Sequence, residues 1–305
     1  MNYGDIYTLT VLVTTAFLVT PATATDWLWQ VTTNQANDLD PSWSPDGTAI
    51  AFYSDRSGNN DIWVIPAEGG TPTQITTYSG YDALPSWSPD GANIAFTSFR
   101  YGNRDIWIIP SKGGIPSRLT TDPANDARPS WSPDGTTIAF KSDRSGNYEI
   151  WTIPSNGGTA SRVTSSPADD GAPFWSPDGT TITFHSDRSG NYDIWTIPAG
   201  GGIATQITTD QEYDGLPAWS PDGTTIAFHS RRSGNDDIWT IPAGGGTPTQ
   251  ITTHPADDVR ISYSPDGSKI AFDSLRSGNW DIWVIVPEHT SITPTSFGEI
   301  KAMFK

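Results

Sequence analysis

Short apolar bursts, broken at regular intervals by proline, glycine, aspartate and asparagine, set the pattern of this chain. Residues 131–164 read WSPDGTTIAFKSDRSGNYEIWTIPSNGGTASRVT. Four short strands are predicted here: one around the Pro-Ser-Trp that ends at Trp131, then 136–142, 148–154 and 160–164. The breaks between them, Pro-Asp-Gly, Ser-Gly-Asn and Asn-Gly-Gly, are turn chemistry. No segment carries a helical apolar period, and Pro and Gly recur too often for long helices.

The unit repeats. WSPDG begins at Trp43, Trp87, Trp131, Trp175 and Trp219, and a sixth copy, YSPDG, begins at Tyr263, each 44 residues after the last. An I-A-F or I-T-F triplet, an R-x-G-N-x-[DE]-I-W segment and a T-Q-I-T-T-like segment keep the same frame. Four antiparallel strands per repeat of this length are the signature of a propeller blade. The expected fold is therefore all-β, a six-bladed β-propeller. Trp29-Gln30-Val31-Thr32-Thr33 stands one period before Thr73-Gln74-Ile75-Thr76-Thr77, whereas the sixth unit lacks its own outer strand. The N-terminal strand is expected to fill that gap, closing the ring and hiding an open edge.

Composition adds compartment and partner class. Fourteen Trp compensate for a hydrophobic fraction of only 35%, because each buries a large area. The net charge of −17 disfavours nucleic acid and anionic membranes as partners. Much of it is repeat architecture: eighteen in-frame acids less six in-frame arginines leave −12. Without cysteine there are no disulfides or thiolate metal sites. The apolar run 9–19, followed by Ala22-Thr23-Ala24, reads as a secretory signal, although its first eight residues carry no Lys or Arg. The expected division is a signal peptide over 1–24, the propeller over 25–287 and a C-terminal tail over 288–305. A periplasmic or secreted location follows, with no integral membrane segment.

The P-x-WSPDG, I-A-F, S-x-R-x-G, I-W and L-T pattern over residues 27–286 resembles the propeller repeat of the TolB family, periplasmic proteins of the Tol–Pal envelope system. TolB carries an α/β domain before its propeller, for which this chain leaves no room, so the resemblance implies a stand-alone propeller. The same repeat precedes a hydrolase domain in prolyl-oligopeptidase-like enzymes. No G-x-S-x-G elbow is present here.

Alternating strands place the SPDG and Gly-Gly turns on one face of the ring, and the R-x-G-N hairpins and blade-to-blade loops on the other. Residues identical in every unit serve the blade, and function should sit where units differ. The third-strand Trp (63, 107, 151, 195, 239, 283) is then inter-blade packing, and the hairpin Gly and Asn are turn residues suited to positive φ. The stretch DRSGNYD (187–193) spaces its oxygens like a calcium loop. Its sisters begin with Asp55, Phe99, Asp143, Arg231 and Leu275, so it reads as a hairpin turn. Asp38, Asp82, Asp126, Asp170, Asp214 and Asp258 stand five residues before each turn and would ring one channel mouth. One reading is a cation site, and the TolB resemblance adds calcium in the channel to it. The other, preferred, pairs them with the hairpin Arg56, Arg100, Arg144, Arg188, Arg232 and Arg276 in a repeated brace, since a buried carboxylate needs a partner.

The variable positions on the hairpin face are Tyr78, Tyr81, Phe99, Tyr101, Arg128, Glu212, Tyr213, His254, Arg260 and Trp280. Tyr, Trp and Arg around a concavity are the residues of protein interfaces. His185 and His229 occupy equivalent second-strand positions, but no third zinc ligand accompanies them. No catalytic residue, metal ligand or cofactor is assigned. The expected function is an exported, monomeric, non-enzymatic binding or scaffolding module. It would hold a protein or peptide, such as an envelope protein, at the hairpin-face mouth. The alternatives are a polysaccharide- or peptide-processing enzyme with channel carboxylates and a cation-dependent lectin-like module.

Overall fold

The computed structural model describes residues 27–287. The segments read as a signal and a tail lie outside the described residues. Six four-stranded antiparallel sheets are arranged as blades. Their inner strands are Asp38–Trp43, Asp82–Trp87, Asp126–Trp131, Asp170–Trp175, Asp214–Trp219 and Asp258–Tyr263. Blade one continues with Ala49–Ser54, Asp61–Pro66 and a two-residue outer strand, Thr73–Gln74. In blade six the outer strand is Leu28–Gln30, paired antiparallel with Asp281–Ile285 in the register Leu28 to Ile285 and Gln30 to Trp283. The ring is thus closed by the N-terminal strand. Outer strands are shorter than the sequence pattern suggests: 160–164 reduces to Ser161–Arg162. The next residues leave the ladder, and both the Val163 and Thr164 amides donate to the Ile150 carbonyl.

The period-two pattern explains the core. On the second strand of blade one, Ile50 and Phe52 pack toward blade six, among Ile282 and Val284. Ala51 and Tyr53 point the other way, against Ile94 and Phe96 of blade two. The same division makes six wedges around the ring, one between each neighbouring pair of blades. The I-A-F triplet is therefore a large–small–large tooth. Its Phe meets the neighbouring blade's Ala, as Phe184 meets Ala139. Each of the six Phe is wholly buried, a gain of about 1.5–3 kcal/mol apiece.

The SPDG face is uniform. Ser44 Oγ donates to Asp46 and accepts the Ala49 amide, and Gly47 turns at φ +72°. The Ser44 hydroxyl, with the Thr48 amide and hydroxyl, holds the Asp46 carboxyl below its usual range. A Cβ on Gly91 would lie 3.3 Å from Pro45 of the preceding blade, so this glycine is also an inter-blade contact.

Candidate functional site

Two repeated devices fix the hairpin face. In the first, Arg56 Nη2 lies 2.7 Å from both oxygens of Asp38, while its Nε donates to Ser54 at 2.9 Å. The guanidinium also lies over Phe52 and Trp63, about 5 Å from each ring. Equivalent ion pairs join Arg100–Asp82, Arg144–Asp126, Arg188–Asp170, Arg232–Asp214 and Arg276–Asp258 at 2.6–2.8 Å. All six carboxylates are wholly buried. They sit under their arginines and not on the wall of the central cavity. Among the described residues, no three His, Asp or Glu side chains come together as a metal site.

The second device is the hairpin Asn, which does more than turn. Only the hairpin glycines take positive φ; the asparagines do not. Instead Asn59 Nδ2 donates to the carbonyls of Tyr78 and Gly80, tying down the loop to the next blade. Asn279 does the same across the ring closure, to Asn34 and Ala36.

Held by these devices, each inner strand bulges two residues after its buried Asp. The residue there adopts φ of +50° to +59° in every blade: Asp40, Leu84, Arg128, Ala172, Leu216 and Arg260. Proline follows in five blades, as Pro41 does, and isoleucine in the sixth. The bulge lets a residue without an N–H drop out of the ladder. It also places these six residues on the wall of the central cavity, about 250 Å³. A second cavity of about 230 Å³ shares Asp40, Leu84, Arg128 and Arg260 with it. This one opens among Tyr53, Tyr81, Arg104 and Lys141 on the hairpin side.

Charge is not spread evenly around this mouth. Asp40 receives Arg128 at 3.2 Å and Arg260 at 3.0 Å, and Arg260 also reaches Asp273 at 2.9 Å. The lattice spans blades six, one and three. Burial opposes the charge on Arg260, but Asp40 and Asp273 outweigh it and hold the guanidinium firmly protonated. Burial pushes Asp273 well above the usual carboxylate range, with Arg260 opposing. Lys141 has no such partner. Burial, with repulsion from Arg128 and Arg104, lowers its ammonium to about 8.

Blades four and five contribute an aromatic cluster, with Arg231 over its Tyr213 ring at 5.8 Å. His185, Tyr192, Tyr213 and His229 form a ring cluster, with Tyr213 stacked on His229 at 5.2 Å and His185 edge-on to Tyr192 at 5.1 Å. Gly171 and Gly215 create the room. A Cβ at Gly171 would come 2.5 Å from His185 Nε2, and one at Gly215 would strike the Tyr213 ring. Burial and the nearby arginines Arg260, Arg128 and Arg231 lower His229 to about 3, so it is neutral at physiological pH.

The predicted binding residues divide between the mouth and the rim. Tyr81, Arg128 and Arg260 line the second cavity. Trp280 lies against the Arg260 guanidinium at 5.8 Å, and Tyr213 belongs to the aromatic cluster of blades four and five. Tyr78, Phe99 and Tyr101 instead gather on the blade-two hairpin and its neighbouring loop. Arg100 covers Tyr78, and Tyr101 stacks on Trp107 toward the outer strand. Glu212 and His254 are exposed and offer their backbone carbonyls to Asn191 and Asn235. Sequence reasoning missed Asp40, Tyr53, Arg104 and Lys141. The available signal was the one second-strand position that changes in every blade but two: Tyr53, Thr97, Lys141, His185, His229 and Asp273.

The family described as the TolB beta propeller domain matches residues 18–98 and 73–166, and the Tricorn protease N-terminal beta propeller domain matches 147–235 and 191–277. The chain is a TolB-like six-bladed β-propeller. A protein assigned as TolB from Agrobacterium tumefaciens has a similar structure, with a TM-score of 0.69 and 23% identity over 85% of this chain and 96% of its own. TolB from Acinetobacter baumannii aligns at 0.63 and 23%, over 83% of this TolB-like chain and 63% of that one. An oligogalacturonate lyase from Vibrio parahaemolyticus aligns at 0.60 and 14%, over 85% and 93%. These likenesses are of fold. No curated protein sequence matches the chain.

Proposed function

We propose that this TolB-like propeller is an exported, non-enzymatic binding module that holds a peptide segment of a partner protein at the hairpin-face mouth. The observation that carries this reading is the coincidence of sequence variation with concavity. Six blades repeat almost residue for residue, yet the bulge residues and the second-strand residues beside them differ around the ring. The six bulge residues line a recess of about 250 Å³, and four of them, with Tyr53 and Lys141 of the second strands, line an adjoining one of about 230 Å³. Rigid walls, aromatic surface and fixed charges suit recognition of a segment. Export is supported by the apolar run 9–19 and the Ala22-Thr23-Ala24 site. Among the described residues no helix is long and apolar enough to cross a membrane.

The test is to pan a random peptide library on the intact chain. Selected peptides should bind at least tenfold more weakly to Tyr81→Ala or Arg128→Ala. Failure to enrich any peptide, or peptides indifferent to both substitutions, would overturn the reading.

A further inference from the structure

Four of the seventeen Lys and Arg residues of this acidic chain converge on the second cavity: Arg104, Arg128, Lys141 and Arg260. Asp40 is the one carboxylate on its wall, and it is divided between Arg128 and Arg260. Among the described residues, Arg104 and Lys141 have no ion-pair partner. Lys141 rests its ammonium over the Tyr148 ring at 4.4 Å. A half-buried cation with a π-face below it, two guanidinium groups nearby and no carboxylate at ion-pair distance is held in a costly arrangement that a bound anion would relieve.

We propose that this cavity binds a carboxylate side chain of an acidic peptide segment, with Lys141 and Arg104 as its unpaired donors and Arg128 beside them. This rests on the peptide-binding reading above and names its chemistry. A carboxylate suits the site better than a polyanion for two reasons. The recess is small, and the chain's net charge of −17 repels extended polyanions at range. Within about 10 Å at ordinary salt the local cations dominate. Lys141 is the sensor of occupancy. Arg128 and Arg104 repel its proton, while Asp169 and Asp143 draw it back only in part. A carboxylate bound beside it would raise its pKa from about 8 toward its ordinary value.

The experiment is calorimetry on the intact chain with an N-acetylated Asp/Glu-containing pentapeptide, its Asn/Gln counterpart, trigalacturonate and inorganic phosphate. It is run at pH 7 and at pH 8.5 in two buffers of different ionisation enthalpy. The acidic peptide should bind at least tenfold more tightly than its amide twin and than either other anion. Binding at pH 8.5 should take up protons. Lys141→Thr should weaken it tenfold or more and abolish the proton uptake. Thr97 occupies the equivalent place in blade two, so this variant is compatible with the blade. Equal affinity for acidic and amide peptides, or an unchanged Kd in Lys141→Thr, would overturn the proposal. So would tighter binding of phosphate or trigalacturonate. If those anions alone bind, and need Lys141, the peptide reading falls as well. If panned peptides need Tyr81 but carry no acid, the peptide reading stands and the carboxylate assignment fails.

Discussion

Two rings of residues lie two positions apart on the same six inner strands. At Asp38 and its equivalents the residue is always Asp, always buried and always under an arginine. At Asp40 and its equivalents it is Asp, Leu, Arg, Ala, Leu and Arg, always left-handed and always on the cavity wall. The backbone is as uniform at the second ring as at the first. Only the side chains are released. The first ring spends its chemistry on holding strands and hairpins in place. The second uses that fixed frame to present side chains that differ from blade to blade.

The largest expected difference between the rings comes from removing one arginine in each. Arg188→Ala leaves the wholly buried Asp170 without its partner at 2.7 Å and should cost about 3–5 kcal/mol. In a propeller of this size that lowers Tm by roughly 10 °C. Arg128→Ala leaves Asp40 still paired with Arg260 at 3.0 Å and relieves repulsion on Lys141. Its Tm should stay within about 3 °C. Comparable losses in a thermal melt would erase the distinction between frame and display.

An intermediate effect should appear in acid. His229 is buried and held at about 3, against an ordinary value near 6.5. Between those values the unfolded chain takes up a proton and the native chain does not, so stability falls as pH drops from 6.5 toward 3. His229→Asn removes this loss, whereas Asp126, Asp170 and Asp258, raised by burial, act alike in both proteins. Urea midpoints at pH 7 and 4.5 should therefore converge in the variant, recovering about 2–3 kcal/mol of the native protein's acid loss. Parallel curves would place His229 in water rather than buried against Tyr213.

The first ring was legible in the sequence because it recurs: six Asp and six Arg in one frame imply a common partner. Blade count, strand order and N-terminal closure were legible for the same reason. The mouth was not. Lys141 stands in IAFKS, where a strict motif on either side made the fourth letter look like filler. Its meaning comes from residues far away in the sequence, Asp40, Tyr53 and Arg260, that join it only around the closed mouth. The left-handed turn was masked by a local rule. A residue before proline is steered to extended backbone, so Asp40 before Pro41 gives no hint of φ +53°. The tertiary ladder overrides that preference in every blade, and blade six makes the same bulge with Ile261 in the proline's place.

The smallest effect isolates that override. Ala172 is left-handed at φ +51°, a conformation that costs an L-residue roughly 1 kcal/mol and glycine almost nothing. Ala127 stands one place earlier in the register of blade three. It is buried, and it pairs with Lys141 in ordinary ladder geometry. Ala172→Gly should therefore raise stability by up to about 1 kcal/mol, while Ala127→Gly should lower it by about the same. Opposite signs in denaturant unfolding would show that the display ring carries backbone strain in every blade, whichever side chain it bears. Losses of equal size in both would mean that the bulge is relaxed. The variation at the mouth would then need no rigid frame to explain it.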